Sequence, residues 1–578
     1  MTGASFDVPP VLIVGAGPTG LAAAMSLARA HVPVRLIDKA LQPDPHSRAI
    51  GIQARTLELL EQHRIVDQFL ELGHRARTAN LYSNGHRLAR LDFDPLQTRY
   101  PYLLFLEQSV TERLLTEHLA SFGVHVERGV ELTMFAQGSA GINATLQRAD
   151  GHIETLHPSY MIAADGAHSA IRHRLGMSFA GKTFEQTFLL ADLEADTGWS
   201  DDEFHIFASG SGLAALFPMG KGRQRLIADH PAMPAGGPPG GDQTGGDPLQ
   251  LTEISSPTLE ECRLLAKSRI HHPIDISGLN WSSYFHLNSR MVEQLRAQRV
   301  FLAGDAAHVH SPAGAQGMNT GIQEAFNLGW KIARVLQGDA PERLLDTYHL
   351  ERHPIERDVL RQTSFVTQMA EADHGPLKLL RERVMPVLAA LGPLRDAARL
   401  TVSELAIQYR RSPLTLERVL DGGPRAGERA PDALVHVVDG PLGRAPGIGC
   451  IFDLHDPAFF SLFLLVDPPE EAASGNGKLL GLGRKPVRSA DLDRFVSAVE
   501  GLLPGAVRVW RVSDGNGEGG GPSLSESFGR TRPSFYLVRP DGYVCARGRP
   551  GTDLNGLLRH CEAWFAKNAS PEPPTPAP

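Results

Sequence analysis

The hexapeptide GAGPTG, Gly15 to Gly20, constrains this chain more than any other stretch. It follows the apolar run PPVLIVG and precedes an alanine-rich segment, Leu21 to Ala30, after which VPVRLID ends on Asp38. Strand, glycine turn, helix and second strand closed by an acid make a βαβ unit. In such a unit Gly15 allows the tight turn, Gly17 lets the backbone approach a pyrophosphate, and Gly20 lets helix and strand pack closely. Ala16, Pro18 and Thr19 complete the loop, and a phosphate there sits on a helix N-terminus, favoured by its dipole. Asp38, with Lys39 beside it, is placed to meet an adenosine ribose diol and would repel a 2′-phosphate, so the site suits FAD or NAD better than NADP. The same glycine spacing recurs in GNGEGG at 515–520 and, in its alanine variant, in GSGLAA at 210–215. A polar loop surrounds the first, and Pro218 stops any helix after the second.

A chain of 578 residues exceeds what one core organises, so two or three domains are expected. Helices are predicted over TLELLEQHRIVDQFLELG and over SVTERLLTEHLASFG, the latter with Ser109 as N-cap and Gly123 as stop. Between about 185 and 290 short alternating runs such as DDEFHIFAS and RQRLIADH suit an antiparallel sheet, interrupted by a glycine and proline excursion at 231–248. The βα pattern returns at VFLAGDAAH and the helix GMNTGIQEAFNLGWKIARVL, with Ile322, Phe326, Ile332 and Leu336 on its buried face. The segment GGPRAGERAPDALV reads as a linker, and ASPEPPTPAP as a disordered tail. The expected fold is α/β: a Rossmann-type FAD-binding domain in two parts, 1–184 and 291–410 (with a helical segment), an inserted antiparallel β-sheet substrate domain at 185–290, a C-terminal αβ domain at 420–566, and the tail 567–578.

A formal net charge of −8 argues against a nucleic-acid partner. The longest apolar run, FFSLFLLV at 459–466, is far short of the roughly eighteen residues that span a bilayer, and the first residues lack a basic flank, so a cytoplasmic protein without membrane contact is expected. The cysteines Cys262, Cys450, Cys545 and Cys561 form no CxxC pair, which suggests reduced structural thiols. His308 and His310, and the pair His271 and His272, lack a carboxylate or cysteine at ligand spacing, so no metal is expected.

Two further constellations accompany the glycine loop. In MIAADGAHSAIRHRLG a strand ends on Asp165 and Gly166 before a helix bearing Ser169 and Arg172. In RVFLAGDAAHVHSPAGAQGMNTGIQEA a strand ends on Gly304 and Asp305 before a proline loop and a helix start. With these three motifs in order, the chain resembles the group A flavoprotein aromatic hydroxylases, which include phenol, hydroxyphenylpropionate and polyketide hydroxylases. The resemblance implies FAD as resident cofactor, held by the glycine loop on its ADP half, by Asp165 and Gly166 at the pyrophosphates and by Asp305 on the ribityl chain. It adds Arg48, Gln108 and the backbone at Leu132 near the adenine, and a C-terminal thioredoxin-like domain that without CxxC is structural or a dimer contact. NADPH or NADH would be a transient co-substrate, and O₂ would react through a C4a-hydroperoxyflavin to hydroxylate a phenol, in a monomer or homodimer. The amides of Gly317, Met318 and Asn319 at a helix N-terminus suit the negative charge of reduced flavin, while Pro312 and Gly314 would shape the wall beside the ring and, with Arg48, form the catalytic set. Phe207, Phe217, Tyr284 and Phe285 are the candidate substrate-pocket aromatics. His205, His230 and Tyr82 are weaker candidates for a base that ionises the phenol. Epoxidation, Baeyer–Villiger oxidation and an NAD-dependent dehydrogenase remain alternatives.

Overall fold

The structure is a computed structural model that describes residues 8–46, 49–138, 141–209, 212–230, 256–310, 316–371, 392–441, 446–467, 489–515 and 521–566. The strand Val11–Val14, the helix α1 (Pro18–Arg29) and the strand Val34–Asp38 form the predicted βαβ unit, the two strands paired in parallel. They lie inside a six-stranded sheet ordered Arg296–Ala297, Val300–Leu302, Met161–Ala163, Val11–Val14, Val34–Asp38 and Val126–Arg128. Only the edge pairing with Arg296–Ala297 is antiparallel. The strands Val300–Leu302, Met161–Ala163 and Val11–Val14 are wholly apolar and buried except at Val14, as a parallel sheet covered on both faces requires. Residues 300–302 therefore return the chain to the sheet that residues 11–14 began.

Two predicted helices differ. The stretch 56–73 divides into α2 (Ala54–Gln62) and α3 (Val66–Leu72), with Arg64 at φ 64° between them. Both pieces pack Leu57, Leu60 and Phe69 into one core, so the apolar spacing persists across the break and conceals it. Helix α4 (Gln108–Ala120) starts at Gln108, whose N–H donates to Ala49 O at 3.1 Å, so Ser109 lies inside the first turn and caps nothing. The short helix α5 spans Ala170–Arg174.

The alternating segments form an eight-stranded sheet ordered His308–Val309, Asp275–Val292, Phe179–Asp196, Arg223–His230, Gly212–Gly220, Glu203–Ser209, Thr78–Ser83 and His86–Asp92. It reaches beyond 185–290 at both ends of the chain, and Thr78–Ser83 runs parallel to Glu203–Ser209, so the sheet is mixed. Periodicity shows that a segment is a strand but not which distant strand it joins, and this pairing spans more than a hundred residues. Helix α6 (Leu259–Arg269) begins with a Thr258–Glu261 capping box and covers one face through Cys262, Leu265 and Ala266. The excursion 231–248, the GNGEGG motif beyond Gly515 and the tail 567–578 lie outside the described residues.

Helix α7 (Gly317–Leu336) is buried from Asn319 to Arg334 and lies tightly along α1: a Cβ on Gly321 would stand 2.2 Å from Thr19 Oγ1, and one on Gly329 2.3 Å from Ser26 Oγ. Helix α8 (Asp346–Glu371) follows. The predicted linker at 422–435 is packed, with Ala426, Ala430 and Ala433 buried and Arg429 Nη1 reaching Glu58 Oε1 at 2.8 Å. Beyond it a second six-stranded sheet, ordered Gly447–Cys450, Leu434–Asp439, Val507–Asp514, Phe460–Leu465, Ser534–Val538 and Val544–Gly548, is flanked by α9 (Ser489–Leu502) and α10 (Pro550–Phe565). The four cysteines are free thiols, and burial pushes Cys561 up to about 12. Among the described residues no helix is long and apolar enough to cross a membrane.

A buried ionic network joins this last sheet to α7 and α8. Arg539, just after the strand Ser534–Val538, donates to both oxygens of Glu351 at 2.6 and 2.9 Å and to Asp541 at 3.0 Å, while Lys331 Nζ lies 2.7 Å from Glu351 Oε2. Against the upward push of burial, Arg539 and Lys331 hold the Glu351 carboxyl well below its usual range, and burial pushes Lys331 down to about 8. Two cations face two anions, so the pocket is neutral as a whole but intolerant of losing one member. Arg539→Met is therefore expected to destabilise the protein by about 3–5 kcal/mol. Arg113→Ala, which removes an exposed pair with Glu117, is expected to cost no more than about 0.5 kcal/mol. Chemical denaturation of the two variants side by side measures the difference.

Candidate functional site

The turns that follow three neighbouring parallel strands meet at one edge of the first sheet. Gly15 sits at φ 104°, a conformation that disfavours side chains, and a Cβ there would lie 2.1 Å from Ala164 O. A Cβ on Gly20 would lie 1.9 Å from Gly15 O, whereas one on Gly17, whose backbone is extended at φ −75°, would meet nothing within 4 Å. Two glycines are thus demanded by the protein's own backbone, and the third faces open space. Gly17 precedes α1, which starts on Pro18 with no side-chain cap, so the first amides of that helix are presented to the same space. Asp38 secures the loop: its Oδ2 accepts from Ala16 N and its Oδ1 from Ala40 N, both at 2.8 Å, with Arg128 at 3.4 Å. Oδ1 keeps a further lone pair for a ligand. Lys39 is exposed beside it.

The second turn carries Asp165 and Gly166. Asp165 is half-buried; its Oδ2 accepts from Ile171 N at 3.2 Å, and its buried Oδ1 has no partner among the described residues. Burial pushes its pKa up. The third turn is the single 3₁₀ turn Gly304–Ala306, in which Asp305 is exposed. Arg172 ties these two turns together, donating to Ala167 O at 2.8 Å and to Ala306 O at 3.0 Å, with its guanidinium 3.9 Å from the Phe179 ring centre. Gly304 N donates to Glu324 Oε2 of α7 at 2.7 Å, and His308 Nε2 lies 2.6 Å from Glu324 Oε1. Glu356 completes this buried group, with ligand-type atoms of His308, Glu324 and Glu356 within 4.8 Å of one another. Arg352 stands 3.9 Å from Glu324, so positive charge is already supplied there. Burial and the neighbouring Glu324 push the Glu356 carboxyl well up.

Helix α7 opens without a side-chain cap on Gly317, Met318 and Asn319. Asn319 fixes that end: its Oδ1 accepts from Gln53 N at 2.9 Å and its Nδ2 donates to Gly51 O at 2.8 Å. Gln108 lies close by at the start of α4, with Ala49 N 3.4 Å from its Oε1. Leu132 is buried in the strand Val130–Gly138. Arg48, Pro312 and Gly314 lie outside the described residues.

The four aromatic positions do not share a face of the eight-stranded sheet, because side chains alternate along a strand. Phe207 and Tyr284 belong to the core beneath α6, and Tyr284 OH donates to Glu261 of that helix. They are core residues on the covered face, a correction to their reading as pocket wall. His205, His230 and Tyr82 lie on the same side. His205 stacks 4.0 Å from Trp199, and burial pushes it down to about 4; His230 pairs with Glu261 at 3.0 Å, and Tyr82 stacks on Phe207 at 5.0 Å. Phe217 and Phe285 lie on the opposite face, where Phe217 meets Phe105 edge-on at 5.5 Å. Phe105 pairs with Gly51, the residue whose carbonyl Asn319 holds. The open face of this sheet is thereby tied to the N-terminus of α7. Glu324, which anchors Gly304, was not legible in the sequence, since nothing in a helical Gln-Glu-Ala stretch marks an acid that binds a turn twenty residues earlier.

These features fit an extended anionic dinucleotide: an open cradle at Gly17, an unpartnered buried Asp165 oxygen and two uncapped helix N-termini at one sheet edge. Residues 9–363 match the family described as FAD binding domain. The chain is 34% identical over 562 residues to 6-methylpretetramide 4-monooxygenase of Streptomyces rimosus, covering 94% of this chain and 92% of that one. It is 35% identical over 564 residues to pentachlorophenol 4-monooxygenase of Sphingobium chlorophenolicum, covering 95% of each. Among solved structures, an anhydrotetracycline hydroxylase from Streptomyces rimosus superposes with a TM-score of 0.70 at 26% identity, over 96% of this chain and 99% of that one.

The glycine loop separates cofactor binding from folding. Gly17→Ala introduces no internal clash and is expected to leave unfolding within about 0.5 kcal/mol of the parent, yet to weaken FAD retention by tenfold or more, because its methyl group enters the cradle. Gly20→Ala, which drives a methyl group into Gly15 O, is expected to lower stability itself. Flavin fluorescence titration of the apoprotein and thermal unfolding without FAD check the two halves.

Proposed function

The chain belongs to the family of FAD-dependent aromatic monooxygenases, and from that premise we propose that it hydroxylates an electron-rich phenolic or polyketide-type ring held on the open face of the eight-stranded sheet. One observation carries this reading: the contact path from the N-terminus of α7 through Asn319, Gly51 and Phe105 to Phe217 sets that face beside the cofactor turns. Among the described residues, Ile206, Phe217, Ile227 and Phe285 are only partly buried on this face although they lie well inside the sheet, as the lining of a substrate cleft would be. The relatives named for pentachlorophenol and 6-methylpretetramide support a substrate with an acidic hydroxyl on an aromatic system.

FAD, when bound, accepts a hydride from NAD(P)H and activates O₂. The chain's own part is to bind, orient and keep dry. Gly15 to Gly20 and Asp38 would hold the ADP half, Asp165 and Gly166 the pyrophosphate, and Gly304 and Asp305 the ribityl chain, with Gln108 and Leu132 near the adenine. Arg172 and Glu324 keep the second and third turns in register. The amides of Gly317, Met318 and Asn319 would stabilise negative charge on the reduced ring. Arg48, Pro312 and Gly314 are proposed to complete the catalytic wall. An apolar face excludes water, which would otherwise divert the activated oxygen to hydrogen peroxide. The C-terminal sheet with α9 and α10 is read as a thioredoxin-like structural domain in a cytoplasmic monomer or homodimer.

Outside Gly15–Gly20 the sequence offers no second glycine loop with strand, helix and terminal acid, so the reductant would dock transiently on the surface. NAD(P)H oxidation is then expected to be slow until a phenol binds and at least tenfold faster afterwards, a population shift needing only about 1.4 kcal/mol. Anaerobic stopped-flow reduction of the FAD-loaded protein with and without phenol measures this, and a product heavier by one oxygen atom identifies the reaction. Equal reduction rates would exclude substrate gating, and unoxygenated product would exclude the hydroxylase.

A further inference from the structure

On the open face of the eight-stranded sheet a charged pair, Asp192 and Arg225, stands beside the apolar side chains Phe217 and Ile227. Asp192 of the strand Phe179–Asp196 and Arg225 of the strand Arg223–His230 are cross-strand partners. Arg225 donates Nε to Oδ1 at 2.6 Å and Nη2 to Oδ2 at 2.7 Å, a two-pronged grip that fixes the carboxylate plane. The Arg225 side chain is fully buried, whereas 23% of Asp192 remains exposed. The cross-strand neighbours show where that exposed edge lies. Arg225 is next to Phe217, which rests on Phe105, and Asp192 is next to Trp281. Trp281 in turn stacks at 5.3 Å on His46 in the loop after the strand Val34–Asp38. The carboxylate thus stands between a contact leading to the N-terminus of α7 and a contact leading to the loop beyond Asp38.

We propose that Asp192, clamped by Arg225, is the polar recognition element for the substrate: it accepts a hydrogen bond from the acidic hydroxyl of a phenol or enol and excludes aromatic substrates that carry a carboxylate. This rests on the reading of that face as the substrate cleft. An ionised carboxylate has about four acceptor positions, of which Arg225 occupies two, so an acceptor remains on each oxygen. A hydroxyl donor meets it well, while a second carboxylate in the same low-dielectric cleft is repelled. Selectivity of this kind follows from a charge placed against the wrong ligand as much as from a bond to the right one. A buried ion pair is by itself a weak source of stability, which fits retention of this one for specificity.

The test uses the FAD-loaded enzyme and its Asp192→Asn variant, with dissociation constants for 1-naphthol and for 6-hydroxy-2-naphthoate read from the perturbation of flavin absorbance. The parent is expected to prefer 1-naphthol by about tenfold or more. Asp192→Asn leaves Arg225 without its anion and is expected to gain affinity for the naphthoate and to lower the preference about tenfold, a gain that loss of structure could not produce. The double variant Asp192→Asn with Arg225→Gln removes both charges, strands no buried ion, and is expected to lose both the preference and the gain. Preferences within twofold of the parent in the two variants would overturn the proposal. If no phenol perturbs the bound flavin of the parent, the substrate-cleft reading fails first and the proposal falls with it; if phenols do so and the variants match the parent, only the proposal fails.

Discussion

Backbone pressed against backbone is the constraint on which this architecture depends. Gly15 lies against the carbonyl of Ala164 and Gly20 against that of Gly15, while Gly304 and Gly321 both lie against the side chain of Thr19. These contacts draw α1, α7 and three strand ends into a knot with little room for extra atoms, because any added Cβ would meet atoms of a tightly packed interior. What the knot leaves open, beside Gly17, is bounded by helix N-termini. The protein thereby presents amides and helix dipoles to an anion without needing lysines or arginines in that loop.

Charge holds the surroundings of this knot in place. Glu324 faces the third turn and receives Gly304 N, His308 and, at longer range, Arg352. Two turns further along α7, Lys331 shares Glu351 with Arg539 of the last sheet. One helix therefore couples the turn Gly304–Ala306, α8 and the C-terminal sheet through groups that are fully buried and paired. Such pairs add little stability over an apolar packing of the same volume, but they are intolerant of misplacement, since separating them strands a charge. Their value here is register: they fix where α7 begins, and so where its uncapped amides point.

The eight-stranded sheet divides its labour by face. One side is closed by α6 and holds Phe207, Tyr284 and the His205–Trp199 stack as ordinary core. The other leaves apolar side chains half covered around the Asp192–Arg225 pair and is stitched to the N-terminus of α7 through Phe105. Alternation along each strand makes this separation strict: a side chain belongs to one face or the other, and a shift of one residue would exchange them.

The sequence by itself determined the local units and the cofactor. Strand, glycine loop, helix and acid are contiguous, so the turns that carry Gly15 to Gly20, Asp165 and Gly304, and the strand end at Asp38, could be recognised from short-range spacing. Short-range signals also misled where one apolar stripe ran through two helices at Arg64, and where glycines and prolines at 422–435 looked like an exposed linker. Only the tertiary structure decided which strands are neighbours, and hence that the hairpin Thr78–Ser83 and His86–Asp92 joins a sheet otherwise built from residues beyond 178. It alone placed Phe217 and Phe285 on one face and Phe207 and Tyr284 on the other, and brought Glu324, Arg172 and the Asp192–Arg225 pair to their partners. The reason is physical: spacing along the chain encodes which side of its own element a residue occupies, whereas the identity of what lies across from it is set by long-range packing that no local pattern carries.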